Sequence, residues 1–234
     1  MKVLRMRSKL FHVARKSKML IMFYAVRYLS SWLKAQGYDN SLKTLRAVDA
    51  DNKAIPWYTY PLIEYLRQFD FKGCRVFEFG CGHSTLFWAS RCAEVIAVEH
   101  NPEWYEHMRA RLPGNVTLLL RQNAEEYAAA IKEMGGEFDI VVIDGEWRLM
   151  CAKESFDLLS SSGLMLVDNS DWFVDTSQYL RTHGLFQIDF NGPGPINQYA
   201  WTSSLFMHAP TRIQQAFSDP LPLTGIVQKV NENG

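Results

Sequence analysis

The chain has 234 residues, of which 47% are hydrophobic and 21% charged, and this ordinary globular mixture excludes a disordered or fibrous protein. Its 25 basic and 25 acidic side chains balance, yet residues 1–34 carry nine Lys or Arg and no acid, so the rest of the chain is acidic. The cysteines show no CxxC or Cys/His metal spacing, and we expect them to be reduced thiols in a cytoplasmic protein: Cys74, Cys81, Cys92 and Cys151.

The basic head, residues 1–37, is predicted to form an amphipathic helical segment. Its most apolar part, residues 19–26, is too short to span a bilayer, and no small-residue cleavage site follows it as in a signal peptide. A basic helix of this kind suits the anionic inner surface of a membrane, which predicts a cytoplasmic protein in peripheral contact with that surface. The alternative is a helix that packs on its own domain or on a second subunit of a homodimer.

Residues 38–210 alternate between apolar runs and helical patterns, which is typical of an α/β domain. After a predicted loop at 37–41 and an irregular stretch at 54–61, a helix is expected at 61–69. Five apolar runs follow, separated by helical patterns; they cover residues 74–79, 94–99, 116–120, 138–144 and 163–169. The runs are continuous rather than alternating, as expected for parallel strands covered on both faces. The sequence therefore predicts a doubly wound, Rossmann-like sheet of five parallel strands.

The end of this domain has a different pattern. Two strand-like runs, 185–190 and 200–208, have no helix between them, so we expect them to pair as an antiparallel hairpin at the edge of the sheet. The tail at 211–234 is weakly patterned and is expected to lie over the surface of the domain.

The first predicted strand ends in a short glycine motif. Gly80 and Gly82 follow it directly, and the second strand ends in Glu99. Ligands of open α/β sheets bind at the carboxyl ends of the strands, where glycine lets the backbone approach closely and an acid accepts hydrogen bonds from ribose hydroxyls. A dinucleotide site usually has a third glycine, which this turn lacks. Glu78, two residues before Gly80, suits an ammonium group better than a pyrophosphate.

This motif, Glu78-x-Gly80-x-Gly82, resembles motif I of the class I S-adenosylmethionine (SAM)-dependent methyltransferases, and the resemblance covers residues 55–208. It implies a SAM-binding domain in which Glu78, Gly80 and Gly82 hold the methionine part of SAM and Glu99 binds the ribose. Asn123 stands where the family often has an acid near the adenine. The expected cofactor-binding residues are Glu78, Gly80, Gly82, Ser84, Glu99, Asn123 and Asp144.

Two further strand ends carry acids. Asp144 follows the fourth strand, while Asp168, Asn169 and Asp171 follow the fifth. Like charges in one cleft repel unless something compensates, and a divalent cation with oxygen ligands is one such compensation. Asp144, Asp168 and Asn169 resemble the metal site of the divalent-cation-dependent O-methyltransferases of the catechol and caffeoyl-coenzyme-A type. The resemblance implies Mg²⁺ or another divalent cation that orients and activates an acceptor hydroxyl. Without a metal, Asp144 or Asp171 is the expected catalytic base.

Three aromatic motifs, IPWYTYP, IDGEWR and DNSDWF, are similar to those of bacterial methyltransferases found with cell-surface polysaccharide genes. The resemblance implies an acceptor pocket whose aromatic faces suit sugar rings or lipid-linked acceptors, and whose arginine suits a phosphate or carboxylate. The residues expected to line it are Trp57, Tyr58, Trp147, Arg148 and Trp172.

The sequence thus predicts a SAM-dependent methyltransferase that acts on an oxygen of a small-molecule, sugar or lipid-linked acceptor, with a divalent cation as an optional further cofactor. An NAD-type oxidoreductase and a non-catalytic SAM-fold protein at the membrane surface are the alternatives. No nucleic acid is expected as a partner, because the body is acidic, the basic residues cluster away from the site and no N/D-P-P-Y-type motif appears.

Overall fold

The computed structural model describes residues 18–208, so the first 17 residues of the basic head and the predicted tail at 211–234 lie outside the described residues. At its centre is a seven-stranded sheet with the order β3-β2-β1-β4-β5-β7-β6. The strands are β1 Arg75–Phe79, β2 Glu94–Glu99, β3 Val116–Leu120, β4 Phe138–Ile143, β5 Leu159–Val167, β6 Leu185–Pro193 and β7 Ala200–His208. The first five are parallel, and β7 pairs antiparallel with both β5 and β6. The predicted fold of five parallel strands and a terminal hairpin is confirmed.

The described part of the chain contains eight α-helices: α1 Lys18–Ala35, α2 Tyr38–Thr44, α3 Tyr60–Leu66, α4 His83–Ala89, α5 Pro102–Arg109, α6 Ala124–Glu133, α7 Arg148–Ser155 and α8 Val174–Thr182. The loop predicted at 37–41 is wrong, because α2 begins at Tyr38 directly after the left-handed Gly37. Helix α8 is absent from the sequence prediction. Its buried face is mostly small and polar, with Thr176 and Ser177 beside Leu180, so it lacks the apolar periodicity of an amphipathic helix.

Both faces of the sheet are buried, and side chains along each strand alternate between two hydrophobic clusters. On β1, Phe77 and Phe79 belong to one cluster and Val76 to the other. On β4, Ile143 belongs to the cluster of Phe77 and Phe79, and Ile140 belongs to the cluster of Val76. Successive strand residues point to opposite faces, so a strand covered on both sides has to be apolar at every position. This explains the continuous apolar runs of the sequence.

Helix α1 is largely exposed to solvent. None of its residues is buried, although most of them are apolar. Its C-terminal end contacts the domain, where the Trp32 ring lies edge-on to Tyr60 with 5.7 Å between the ring centroids, and the Trp32 indole N–H donates to Glu64 Oε1 at 3.3 Å. The large exposed apolar side chains precede this contact; they are Met19, Ile21, Met22, Phe23, Tyr24, Val26, Tyr28 and Leu29. Within residues 18–208, no helix has the length and apolarity needed to cross a membrane.

Gly37 forms the turn between α1 and the domain. Its φ of 90° is left-handed, and a Cβ at this position would overlap the backbone of Asp49. The Gly37 N–H donates to the Lys34 carbonyl at 3.1 Å, and its own carbonyl accepts from the Ser41 N–H at 2.9 Å. Glycine is therefore required here twice, by the dihedral angle and by the lack of space.

Candidate cofactor and active site

A cavity of about 230 Å³ opens at the carboxyl ends of β1 and β4. The strand order reverses between these two strands, since β2 and β3 continue the sheet on one side and β5 on the other, so the cavity lies at a topological switch point. Five of the predicted cofactor-binding residues line it: Glu78, Gly80, Gly82, Ser84 and Asp144. They come together because the glycine turn after β1 and the end of β4 meet at one edge of the sheet.

Glu78 places an uncompensated carboxylate oxygen at this cavity. Its side chain is 1% exposed, and one oxygen accepts a hydrogen bond from the Thr85 hydroxyl, which in turn accepts from the Gly82 N–H at 2.9 Å. The other oxygen, Oε1, is buried without a partner among the described residues. Burial raises the pKa of Glu78 to about 7, although the nearby hydroxyls of Ser84 and Thr85 lower it. A buried oxygen of this kind fits the ammonium group of a bound amino acid.

Gly80 keeps the cavity wall open to a ligand. Its φ is 101°, and its N–H donates to the Val98 carbonyl at 2.9 Å. A Cβ at this position would lie 3.2 Å from the carbonyl oxygen of Asp144, so a side chain would be strained in its dihedral angle and crowded against β4. The turn therefore leaves room for a ligand to approach the backbone between the two strand ends.

Glu99 and Asn123 do not line this cavity. Glu99 is 5% exposed, and its Oε1 accepts from the backbone N–H groups of His100 and Asn101 at 2.9 and 2.8 Å. Asn123 is the N-cap of α6, where its side chain accepts from the Glu126 N–H at 2.8 Å. Glu99 is the last residue of β2 and Asn123 follows β3, as predicted, but their roles toward ribose and adenine stay predictions.

Arg148 stands at the centre of the predicted metal site. Its Nη2 lies 3.2 Å from Asp144 Oδ1, and its Nη1 donates to the backbone carbonyl of Asp168 and to Asn169 Oδ1 at 3.4 Å. A divalent cation needs ligand oxygens that converge on one open point, whereas these groups converge on a guanidinium. Across residues 18–208, no group of three His, Cys, Asp or Glu is arranged to hold a metal ion. The arrangement therefore does not fit the predicted cation.

Asp168 and Asp171, in the loop after β5, form hydrogen bonds with the terminal hairpin. Asp168 Oδ1 accepts from the Trp201 indole at 3.0 Å and from the Ser203 hydroxyl, and Asp171 Oδ1 accepts from the Thr202 N–H at 3.0 Å. Both acids are at most 4% exposed, and neither lines the cavity. Burial, followed by repulsion from Asp144, raises the pKa of Asp168 well above its usual range. Both carboxylates therefore contact the hairpin rather than the cavity.

Of the five residues predicted to line an acceptor pocket, Trp57 borders the cavity and is 44% exposed. Tyr58 is fully buried against Trp88, whose indole donates to its hydroxyl at 3.4 Å. The other two tryptophans also pack away from the cavity: Trp147 lies edge-on to Tyr127, and Trp172 packs beside Tyr199. The predicted aromatic pocket is thus brought together only in part.

The sequence prediction missed several cavity residues, of which four carry aromatic or basic side chains. Trp104, His107 and Arg111 come from α5 and the turn after it, and Arg46 comes from the segment after α2. The Trp104 indole donates to the Cys81 carbonyl at 2.6 Å and its ring stacks on His107. The spacing of 104, 107 and 111 places three side chains on one helical face and was a usable signal. Arg46 offered none, because only the fold brings its segment to the cavity.

Residues 77–170 match a family model described as a methyltransferase domain. No curated protein matches the chain. Similar solved structures include a TehB-like SAM-dependent methyltransferase from Corynebacterium glutamicum, with 14% identity over 62% of this chain and 86% of that chain and a TM-score of 0.48. Another is an rRNA methylase from Streptococcus thermophilus, with 13% identity over 64% and 97% and a TM-score of 0.49. The family match, over 94 of the 234 residues, is to a methyltransferase domain, which agrees with the enzyme class that the sequence predicts.

Proposed function

We propose that the protein transfers the methyl group of SAM to an oxygen atom of a small-molecule, sugar or lipid-linked acceptor. The observation that carries this proposal is the unpartnered, buried Oε1 of Glu78 at a cavity formed by the glycine turn. A buried carboxylate oxygen without a donor is costly unless a ligand supplies one, and the ammonium group of SAM is such a donor. The proposal therefore assigns the methionine end of SAM to this cavity.

The residues around the cavity have separate tasks in this proposal. Glu78 accepts a hydrogen bond from the ammonium group, and Gly80 and Gly82 let the backbone approach the ligand. Glu99, at the end of β2, binds the ribose through its remaining oxygen, and Asn123 lies beside the adenine. When bound, SAM supplies a methyl group activated by the positive charge on its sulfur.

We assign the base to Asp144. Methyl transfer to a hydroxyl needs an acceptor for the hydroxyl proton, and Asp144 is a carboxylate that lines the cavity. Arg148 contacts one oxygen of this carboxylate, Oδ1, at 3.2 Å, so the other oxygen is left to accept the proton. Asp171 is the weaker candidate because it is 4% exposed and bonded to the hairpin.

The mouth of the cavity supports an acceptor that has a ring and an anionic group. Trp57 and Trp104 are both more than 40% exposed and border the cavity, and aromatic faces of this kind suit sugar rings. Arg46 and Arg111 border it as well, and neither forms an ion pair with another described residue. Guanidinium groups with free donors suit a phosphate or carboxylate.

The test is turnover measured as release of S-adenosylhomocysteine (SAH) with nucleotide sugars and lipid-linked sugar phosphates as acceptors. Asp144→Asn should keep SAH affinity within about threefold while transfer falls by about 10²–10⁴-fold, the usual contribution of a general base. Asp157→Asn, at an exposed aspartate in the turn after α7, is the matched control. Failure of the wild-type protein to bind SAH, or full activity of Asp144→Asn, would contradict the proposal.

We further propose that α1 holds the protein on an anionic membrane surface. Eight large apolar side chains are exposed on this helix, a concentration that is unusual for a surface exposed to water. The helix contains no acid, and its basic residues Lys18, Arg27 and Lys34 continue the basic sequence that precedes it. Apolar contact with the acyl boundary combined with attraction to anionic headgroups is the usual basis of peripheral membrane binding.

Sedimentation with vesicles tests this surface. The full chain should sediment with vesicles containing phosphatidylglycerol, and less with pure phosphatidylcholine or at high salt. Met22→Asp combined with Phe23→Asp should abolish sedimentation, whereas Leu42→Asp, an exposed leucine outside α1, should not. No sedimentation of the wild-type chain, together with a dimer that the α1 substitutions dissociate, would assign the helix to a second copy instead.

A further inference from the structure

We propose that the guanidinium of Arg148 occupies the position that a divalent cation would need in order to join Asp144, Asp168 and Asn169, so that a fixed side chain replaces a metal ion there. The inference concerns the site itself and does not depend on which acceptor is used. It predicts that the protein does not bind or need a divalent cation at this place.

Arg148 contacts the carboxylate of Asp144, the side-chain oxygen of Asn169 and, at Asp168, the backbone carbonyl rather than the carboxylate. Its Nε donates to the Gly145 carbonyl at 2.9 Å, and Nη2 lies 3.2 Å from Asp144 Oδ1. Its Nη1 is shared between the Asp168 carbonyl and Asn169 Oδ1. Three nitrogens thus contact the ends of both β4 and β5, which is the geometry a planar guanidinium allows and a lysine does not.

The guanidinium also packs against an aromatic ring. It lies 4.1 Å from the centroid of the Phe173 ring, and the side chain is 9% exposed. Asn169 adopts a left-handed φ of 50°, which turns its side chain toward the arginine. A metal ion could bind these groups only if the guanidinium were displaced.

The positive charge of Arg148 offsets the repulsion that the sequence predicts between the acids at the ends of β4 and β5. Asp144 lies close enough to Asp168 to raise its pKa electrostatically, and the arginine lies near both acids and lowers the pKa of each. The fixed charge compensates the two acids as a cation would. Arg148 acts as a positioning residue, because it reaches the cavity through Asp144 and is not itself part of the cavity wall.

Uptake of Mn²⁺, followed by electron paramagnetic resonance, tests the inference on the full chain without any assay of transfer. The wild-type protein and Arg148→Lys should take up no Mn²⁺ at this site. Arg148→Ala should take up Mn²⁺, because the Asp144 carboxylate, the Asn169 side chain and the Asp168 backbone carbonyl lose their cation, and adding Asp144→Asn should abolish the uptake. Arg121→Ala, which removes an arginine paired with Glu133 on the surface, is the matched control.

A second measurement separates positioning from structural support. If the proposed function holds, Arg148→Ala should lose most of its SAH release; guanidinium ion at millimolar concentration should restore it and should not affect Arg121→Ala. The inference is overturned if the wild-type chain binds Mn²⁺ in a way that Asp144→Asn abolishes. It is also overturned if Arg148→Ala, shown by near-ultraviolet circular dichroism to be folded, neither binds Mn²⁺ nor responds to guanidinium. The wild-type titration decides the matter even if the alanine variant does not fold.

Discussion

Replacement of Glu78 by Gln is the most direct test of the cavity. The substitution keeps the shape of the side chain and a hydrogen-bond acceptor for the Thr85 hydroxyl, but it removes the charge. This carboxylate is buried and has one oxygen without a partner among the described residues. We therefore expect Glu78→Gln to remove the loss of stability that this charge causes as pH rises. We also expect it to weaken the binding of SAM.

The magnitude follows from the pKa of Glu78, which rises from 4.5 to about 7 in the folded protein. Between these two values the folded state binds more protons than the unfolded state, so stability falls as pH rises and is constant again above about pH 8. A tenfold change in proton affinity is worth 1.36 kcal/mol, and wild type should lose about 2–3 kcal/mol from this group between pH 5 and pH 8. Glu78→Gln should lack this contribution.

The assay is urea unfolding of both proteins at pH 5, 6, 7 and 8. Other buried acids contribute to the total, so the quantity to compare is the difference between wild type and Glu78→Gln. Glu125→Gln, an exposed glutamate on α6, should leave the wild-type profile unchanged. In calorimetry at pH 6 in buffers of different ionisation enthalpy, SAH should release about one proton from wild type and none from Glu78→Gln.

Two results would refute this reasoning. Parallel pH profiles for wild type and Glu78→Gln would mean that the carboxylate of Glu78 is not destabilised in the ligand-free protein. Unchanged SAH affinity in the variant would mean that the unpartnered oxygen does not face the ammonium group of the ligand, and the cavity would then need another occupant.

Three further predictions concern other parts of the chain. Glu99→Gln should weaken SAH binding at least tenfold, measured by calorimetry, because one charged hydrogen bond to the ribose is worth about 1.5–3 kcal/mol; unchanged affinity would remove the ribose assignment. Asp168→Ala should lower the free energy of unfolding by about 2–4 kcal/mol, because the Trp201 indole loses its acceptor. EDTA should not alter this loss. A variant as stable in urea as the wild type would contradict the prediction. Gly37→Ala should lower the melting temperature by at least several degrees through strain at its positive φ; an unchanged temperature would show that the turn is not strained.

The sheet was predictable because its signal is local. Parallel strands covered on both faces are apolar at every position, and five such runs alternate with helices. The two helices that the prediction missed lack such a signal. Helix α2 has seven residues and a single buried one, Ser41, and the buried face of α8 is mostly small and polar. Packing against neighbouring elements stabilises both helices, and a single sequence does not display those neighbours.

The site was predictable where strand ends alone decide it. Glu78, Gly80 and Asp144 meet because their strands are neighbours, which follows from the chain order of a doubly wound sheet. The contacts of Asp168 depend on Trp201, which lies 33 positions away in a hairpin and was not foreseeable from spacing. The ion pair of Arg148 with Asp144 had a sequence signal, since the arginine stands four positions after the acid, but the resemblance placed Arg148 in an acceptor pocket instead.

The turn at Gly37 has a consequence for which acceptors the protein reaches. In the proposed membrane-bound state, a turn that tolerates no side chain limits how far above the lipid the mouth of the cavity stands. A lipid-linked acceptor would then be selected by the distance between its lipid and its methylated group as well as by its ring and charge. Extra residues after Gly37 would change that distance while leaving every residue of the cavity unchanged.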